Sequence, residues 1–237
     1  MIAELSKRLQ AVANLVTVSG CVADIGTDHA YIPIYLAGRQ KIRRAFAMDV
    51  NEGPLERARE HVKEAGLEDR IKLRLSNGLE RLQPGEADAM IAAGMGGGLV
   101  IQILTEGQAV ARQMKECILQ PQSEIPKVRA YLLQEGYQIA EEDMVLEDGK
   151  YYPMMRIIPM ENGETPEAWD EIELCYGKRL LESRHPVLEQ YLKREEQIKS
   201  RILDKLEEQS GEHIIRRQAE LQHDLACIRK GLKYYAV

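Results

Sequence analysis

Five short apolar runs, at residues 22–25, 45–50, 71–75, 87–92 and 117–119, alternate with helical patterns at 32–39, 54–65, 99–105 and 125–134. No other feature of the chain constrains the fold as much. Runs this short and this apolar are strands buried on both faces, and the segments between them are the helices that bury them. Strand–helix alternation implies an α/β fold, a parallel sheet with helices on both faces. Right-handed crossovers then place the strand-to-helix loops on one edge of the sheet. A further helix is expected at 4–18, where Leu5, Leu9, Val12, Leu15 and Val16 form one apolar stripe,. Two late strands, 137–140 and 152–158, are separated only by the acidic string EEDMVLEDGK and are expected to pair as a hairpin.

The string VADIGTDHAYIP, from Val22 to Pro33, ends the first run with one glycine, two carboxylates and a histidine. Ligands of an open parallel sheet bind beyond the carboxyl ends of its strands, which is where these residues fall. Pro33 fits only the first turn of the next helix, so that helix is expected to start at 30–32 and leave Thr27, Asp28 and His29 in the loop,. A dinucleotide site needs G-x-G-x-x-G for close approach to a pyrophosphate. Here only Gly26 is present, and Asp24 and Asp28 would repel a phosphate. A phosphate-free cationic nucleoside such as S-adenosylmethionine suits acidic surroundings instead. Asp49 ends the second strand, where a ribose-diol acceptor belongs; SNGL (76–79) ends the third and AGMGGG (93–98) the fourth,. Taken singly, Asp28 equally suits a helix cap, Asn77-Gly78 a plain turn, and the glycine run close packing. Together they put polar or glycine signals at the ends of four successive strands.

Composition narrows the context. No run approaches the ~20 apolar residues of a membrane span, and the N-terminal stretch is too polar for a signal peptide core. Cys21, Cys117, Cys175 and Cys227 lie far apart with no CxxC pair, which argues against a zinc site and a disulfide framework and suits reduced thiols in a cytoplasm,. The net charge of −6 exerts no global pull on nucleic acid,. After Pro159 the chain turns polar, and residues 187–233 carry two long helical stripes with a break at Ser210-Gly211, the pattern of an antiparallel helical hairpin or coiled coil,. From Gln190 onward ten Lys/Arg face eight Asp/Glu, net +2, which leaves −8 on the rest.

The strings LSKRL, VADIGTDHAYIPIYL, MDVNEGPLERA, AGMGGGLVIQIL and ILQP, in this order and followed by a helical tail, resemble the bacterial tRNA (adenine-22-N1)-methyltransferases over nearly the whole chain. The resemblance implies a Rossmann-like seven-stranded methyltransferase domain over 1–160, a C-terminal coiled-coil hairpin over 161–237, and S-adenosylmethionine as methyl donor. It implies that Asp24, Gly26 and the Thr27-Asp28 turn contact the methionine end of the donor and that Asp49 holds its ribose hydroxyls, with Ile25 and Val50 also in the donor site. Asn77 and Gly78 would flank its adenine, and Gly94, Met95 and Gly96 would line the transfer face. The family pattern favours an aspartate where this chain has Asn77; an amide keeps the acceptor but drops the charge. Asp28, His29 and Tyr31 are the expected catalytic set near the target base. Lys7, Arg8, Gln120, Pro121, Arg216 and Arg217 are the expected substrate contacts. The expected partner is tRNA, met by a cytoplasmic monomer with no metal. The residues without the resemblance leave open the same fold acting on another RNA or a small molecule, and a non-catalytic tRNA-binding protein.

Overall fold

The computed structural model describes residues 4–161, 163–207 and 211–236. It divides into two compact units, Met1–Glu167 and Ala168–Val237. In the first, α1 (Lys7–Leu15), β1 (Cys21–Ile25), α2 (Tyr31–Gly38), β2 (Arg44–Asp49), α3 (Glu52–Glu64) and β3 (Ile71–Leu75) come in that order. They are followed by β4 (Ala89–Met95), α4 (Gly97–Glu106), α5 (Gln108–Ala111), β5 (Glu116–Pro121), α6 (Ile125–Gln134), β6 (Tyr137–Glu147) and β7 (Lys150–Pro159). The seven strands form one sheet in the order β3-β2-β1-β4-β5-β7-β6. Pairing is parallel from β3 to β5 and antiparallel for β5–β7 and β7–β6. The expected Rossmann-like methyltransferase architecture is therefore present, with its parallel part confined to the five strands announced by apolar runs.

Alternation along the strands splits the core into two layers. Val22, Ala45, Ala47, Ile91 and Ile118 are buried in one cluster with Val12, Leu36 and Val62 of α1, α2 and α3. Their neighbours Ala23, Met48, Met90 and Leu119 are equally buried and point the other way. There α4 packs on β4, β5 and α6.

Two details differ from the sequence reading. The first helix is shorter, starting at Lys7 because Ser6 caps it: its Oγ accepts from Leu9 N at 3.3 Å,. The acidic string between the late strands is itself strand, paired residue for residue from Glu141–Arg156 to Glu147–Lys150. Its charge is accommodated individually: Glu142 is buried but paired with Arg129 at 2.8 Å, and Glu147 accepts from Lys7 N at 2.6 Å.

The start of α4 shows why its glycines are there. A Cβ on Gly97 would sit 2.3 Å from the Ser123 carbonyl oxygen and 2.9 Å from Val128. Only a bare backbone lets α4 lie against the loop after β5. Gly97→Ala is expected to cost about 1–3 kcal/mol by overpacking, read as a lower urea midpoint with unchanged m. An unaltered midpoint would mean the loop yields freely.

The second unit contains α7 (Glu171–Tyr176), α8 (Lys178–Glu182), α9 (Pro186–Glu207) and α10 (Glu212–Leu232). Three contacts fix the last two as antiparallel partners: Arg229–Glu196 at 3.0 Å, Lys199–Asp224 at 2.6 Å, and Gln218 Nε2 to the Leu206 carbonyl at 2.8 Å. Each step up one helix is a step down the other. Leu188, Leu192, Leu221, Leu225 and Ile228 of the two apolar stripes are buried. Of the expected break, Ser210 lies outside the described residues. Among the described residues no helix is long and apolar enough to cross a membrane.

Candidate functional site

The site is built on the central strand β1, which pairs with β2 on one side and β4 on the other. Asp24, the penultimate residue of β1, is buried, and Thr27 Oγ1 donates to its Oδ2 at 2.6 Å. The loop that follows is pinned to β2 by Thr27 N donating to the Met48 carbonyl at 2.9 Å. Gly26, Asp28 and Ala30 all take left-handed backbone, with φ of 68°, 49° and 56°. Glycine adopts this freely, but the aspartate and alanine carry strain held in place by the surroundings. The helix α2 begins at Tyr31, and Pro33 sits in its first turn as expected.

The second wall comes from a bulge. The β4–β5 pairing steps from Ala93↔Gln120 to Met95↔Pro121, so Gly94 is the extra residue, at φ 82°,. Its N–H donates to Gln120 Oε1 at 3.1 Å. The same oxygen accepts from Arg8 Nη1 at 2.9 Å, and the Arg8 guanidinium lies 5.6 Å from the centre of the Tyr152 ring. One buried amide thus fixes both an N-terminal arginine and the glycine backbone.

Between these walls lies a cleft of about 350 Å³ lined by Arg8, Leu9, Asp24, Gly26, Thr27, Asp28, His29, Tyr31, Ile32, Ala93, Gly94 and Gln122. Met95 abuts it: its Cε is 2.4 Å from where a Gly26 Cβ would be. Ile25 is buried in the sheet below, and Gly96 caps α4. Farther along the same edge, Asp49 is buried with Oδ1 accepting from Asn51 N at 2.9 Å, and Val50 is exposed. Ser76 N donates to the Asp49 carbonyl at 2.8 Å, which ties the Asn77-Gly78 turn to the end of β2. Asn77 is exposed and donates to Glu80 at 2.9 Å; Gly78 has φ 53°.

The electrostatics identify what fits. Burial first, then the nearby Asp49 charge, push the Asp24 carboxyl up to about 7 against the opposing Thr27 hydrogen bond. None of these influences is cationic. A buried acid in that state favours a positively charged ligand and disfavours a phosphate. The same shift opposes folding as pH rises from 3.8 toward 7, because the folded carboxyl keeps its proton over that interval,. S-adenosylmethionine, a phosphate-free nucleoside with sulfonium and ammonium groups, fits the residues present. Asp24, Gly26 and Gly94 face the cleft, and Asp49 lies at the adjoining strand end.

At the mouth, Asp28 pairs with Arg57 of α3 at 2.8 Å and lies 3.4 Å from His29 Nε2. The rings of His29, Tyr31 and His61 form a mutual cluster with centroids 5.1 to 5.3 Å apart. His61 Nδ1 meets the His29 carbonyl at 3.2 Å, while His29 Nδ1 is buried with no hydrogen-bond partner among the described residues. Arg57 and His61 escaped sequence reading. They stand one turn apart on the polar side of α3, where periodicity treats every charged residue alike. Gln120 and Pro121, expected as substrate contacts, are buried and do not line the cleft; Gln120 instead positions Arg8 and Gly94. Lys7 is exposed beside Arg8. Arg216 and Arg217 are exposed on α10 of the second unit, the latter paired with Glu220 at 2.9 Å.

Comparison with known proteins agrees with this geometry. A methyltransferase-domain family profile matches residues 5–155. The tRNA (adenine(22)-N(1))-methyltransferase of Bacillus subtilis is 38% identical over 174 residues, 73% of this chain and 72% of that protein. The crystal structure of the B. subtilis m1A22 tRNA methyltransferase TrmK is similar with a TM-score of 0.83 at 30% identity, over 97% of this chain and 99% of that one. TrmK of M. capricolum, solved with the cofactor product S-adenosyl-homocysteine, is similar with a TM-score of 0.82 at 30% identity, over 97% and 98%. The buried acid, the left-handed loop and the bulged glycine thus occur in a chain that belongs to the tRNA (adenine-22-N1)-methyltransferase family of S-adenosylmethionine-dependent enzymes.

Proposed function

We propose that the chain methylates N1 of adenine 22 in tRNA with S-adenosylmethionine as donor, acting as a monomer in the cytoplasm. The observation that carries the reading is the buried Asp24 carboxyl, hydrogen-bonded to Thr27, at the base of a cleft lined by Gly26 and Gly94. The four cysteines are free thiols, in keeping with a reducing compartment,.

When bound, the donor supplies an electrophilic methyl group on a sulfonium. Adenine N1 carries a free lone pair at neutral pH, so the chain's own task is placement rather than proton abstraction. Asp24 and Asp49 hold the donor's charged and hydroxyl groups. Methylation leaves positive charge on the base, and the half-exposed Asp28 carboxylate is the group at the cleft mouth suited to meet it,. N1 lies on the Watson–Crick edge, so the base must leave its stack, and Tyr31 with His29 offers a ring surface to receive it,. Incubating unmodified tRNA with labelled donor and mapping the product by mass tests the reading. Label at N1 of adenine 22 supports it; label elsewhere, or none, overturns it.

Donor affinity is expected to fall by up to about tenfold for each pH unit below about 7, because the cationic donor requires Asp24 ionised,. Calorimetry across pH should show proton release on binding, and Asp24→Asn should flatten the profile. A slope that survives Asp24→Asn would assign the proton elsewhere.

Phosphate contacts are assigned to Lys7, Arg8, Arg216 and Arg217. Four such contacts predict about a 100-fold loss of tRNA affinity between roughly 50 and 200 mM salt. A nearly flat salt profile in a filter-binding assay would remove them.

A further inference from the structure

The second unit brings three different metal-ligating groups together. Glu171 Oε1 lies 3.0 Å from His223 Nε2, Cys227 Sγ lies 3.6 Å from the same nitrogen, and all three ligand atoms fall within 4.8 Å of one another. None of them belongs to the donor cleft. We propose that they form a binding site for one borderline divalent transition-metal ion of the Zn²⁺ type.

The spacing is that of a coordination shell. With Zn–S near 2.3 Å and Zn–N and Zn–O near 2.0–2.1 Å, the edges of a tetrahedron are about 3.5 Å from S to N and about 3.4 Å from O to N. The observed 3.6 and 3.0 Å are close to both before any ion draws the groups together. The fold also holds the ligands in place. His223 and Cys227 are one turn apart on α10 and share a face,. Glu171 opens α7, whose start is fixed by a reciprocal capping box between Asp170 and Glu173,. That box occupies the neighbouring acids and leaves Glu171 to the site. Sulfur, imidazole and a single carboxylate select zinc-like ions over Mg²⁺ or Ca²⁺, which need sets of oxygens. Cys227 is buried while Glu171 and His223 are more than half exposed, so the fourth position opens to water. On binding, Cys227 gives its thiol proton to solvent, and the imidazole and carboxylate exchange their mutual contact for the ion. The ion then joins α7 to α10. The expectation against zinc considered cysteine pairs only; a His-x-x-x-Cys face with a carboxylate from another helix has no such signature.

The test is Co²⁺ titration of the full chain after chelator treatment. One equivalent should produce visible d–d bands with a thiolate-to-cobalt charge-transfer band, and Zn²⁺ should abolish both. Cys227→Ser and His223→Gln should each weaken binding about 100-fold or more, and Cys175→Ser should leave the spectrum intact. Because Cys227 is buried, the exposed His223→Gln keeps the test decisive if Cys227→Ser fails to fold. Zn²⁺ should raise the melting temperature of the native chain and not of His223→Gln. No charge-transfer band in the native chain, or a band that persists in His223→Gln, overturns the proposal.

Discussion

Asp28→Asn is expected to lower the rate of methyl transfer about 10²–10³-fold, the usual loss when one preorganised electrostatic group is removed from a developing charge. Donor affinity should stay nearly unchanged. The substitution is chosen on backbone grounds. Asp28 sits at φ 49°, a conformation that asparagine adopts at lower cost than alanine, so Asp28→Asn removes the charge and keeps the loop,. The Arg57 pair supplies the control. Its partners are about half exposed, and such a pair contributes at most about 1 kcal/mol to stability,. If Asp28 acts on the methylated base, Arg57→Met leaves turnover within a few-fold, since it only frees the carboxylate. If instead Asp28 serves to hold α3, Arg57→Met and Asp28→Asn lose turnover equally. Single-turnover rates with saturating tRNA separate the two outcomes, and equal losses would remove Asp28 from the chemistry.

What the sequence revealed follows from where each residue's surroundings come from. The central parallel strands were legible because a strand buried on both faces must be apolar, the edge strand β3 through its alternation of Ile71, Leu73 and Leu75 with Lys72 and Arg74, and the loops because glycines and acids ended the runs,. The expected starting point of α2 held because Pro33 admits only one place in a helix,. The strand through 141–147 was not legible. Its acids resemble a loop until Arg129, on another element, is brought against Glu142. Arg57 and His61 were hidden for a related reason: their importance comes from facing the β1–α2 loop, a relation that no spacing within α3 encodes. Asp24 was identifiable as a site residue, but its suppressed ionisation depends on burial and on Asp49, which only the fold supplies. Arg8 was marked by family resemblance alone. The structure gives the physical reason, a shared acceptor that couples it to the bulged glycine.

Glu142→Gln should be the most damaging single change to stability outside the apolar core. Arg129 is 1% exposed, and both its Nε and Nη2 reach Glu142 Oε1 at 2.8 Å, so the pair is fully withdrawn from water. Neutralising Glu142 takes from the buried Arg129 guanidinium its paired carboxylate in a low dielectric, at a cost of about 3–5 kcal/mol,. For a chain of this size that corresponds to a fall of about 10 °C in melting temperature. The pair itself need not be strongly stabilising, because desolvating two charges offsets most of their attraction. The double substitution Arg129→Met with Glu142→Leu should therefore recover most of the loss, with the apolar pair joining α6 to β6 directly. Thermal melts of the two variants beside the native chain decide the matter. A single substitution costing less than about 1 kcal/mol would mean that the guanidinium's other surroundings compensate for the lost carboxylate. A double variant as unstable as the single one would mean that the ion pair sets the position of β6 against α6, and that its geometry rather than its charge balance fixes the acidic strand in the sheet.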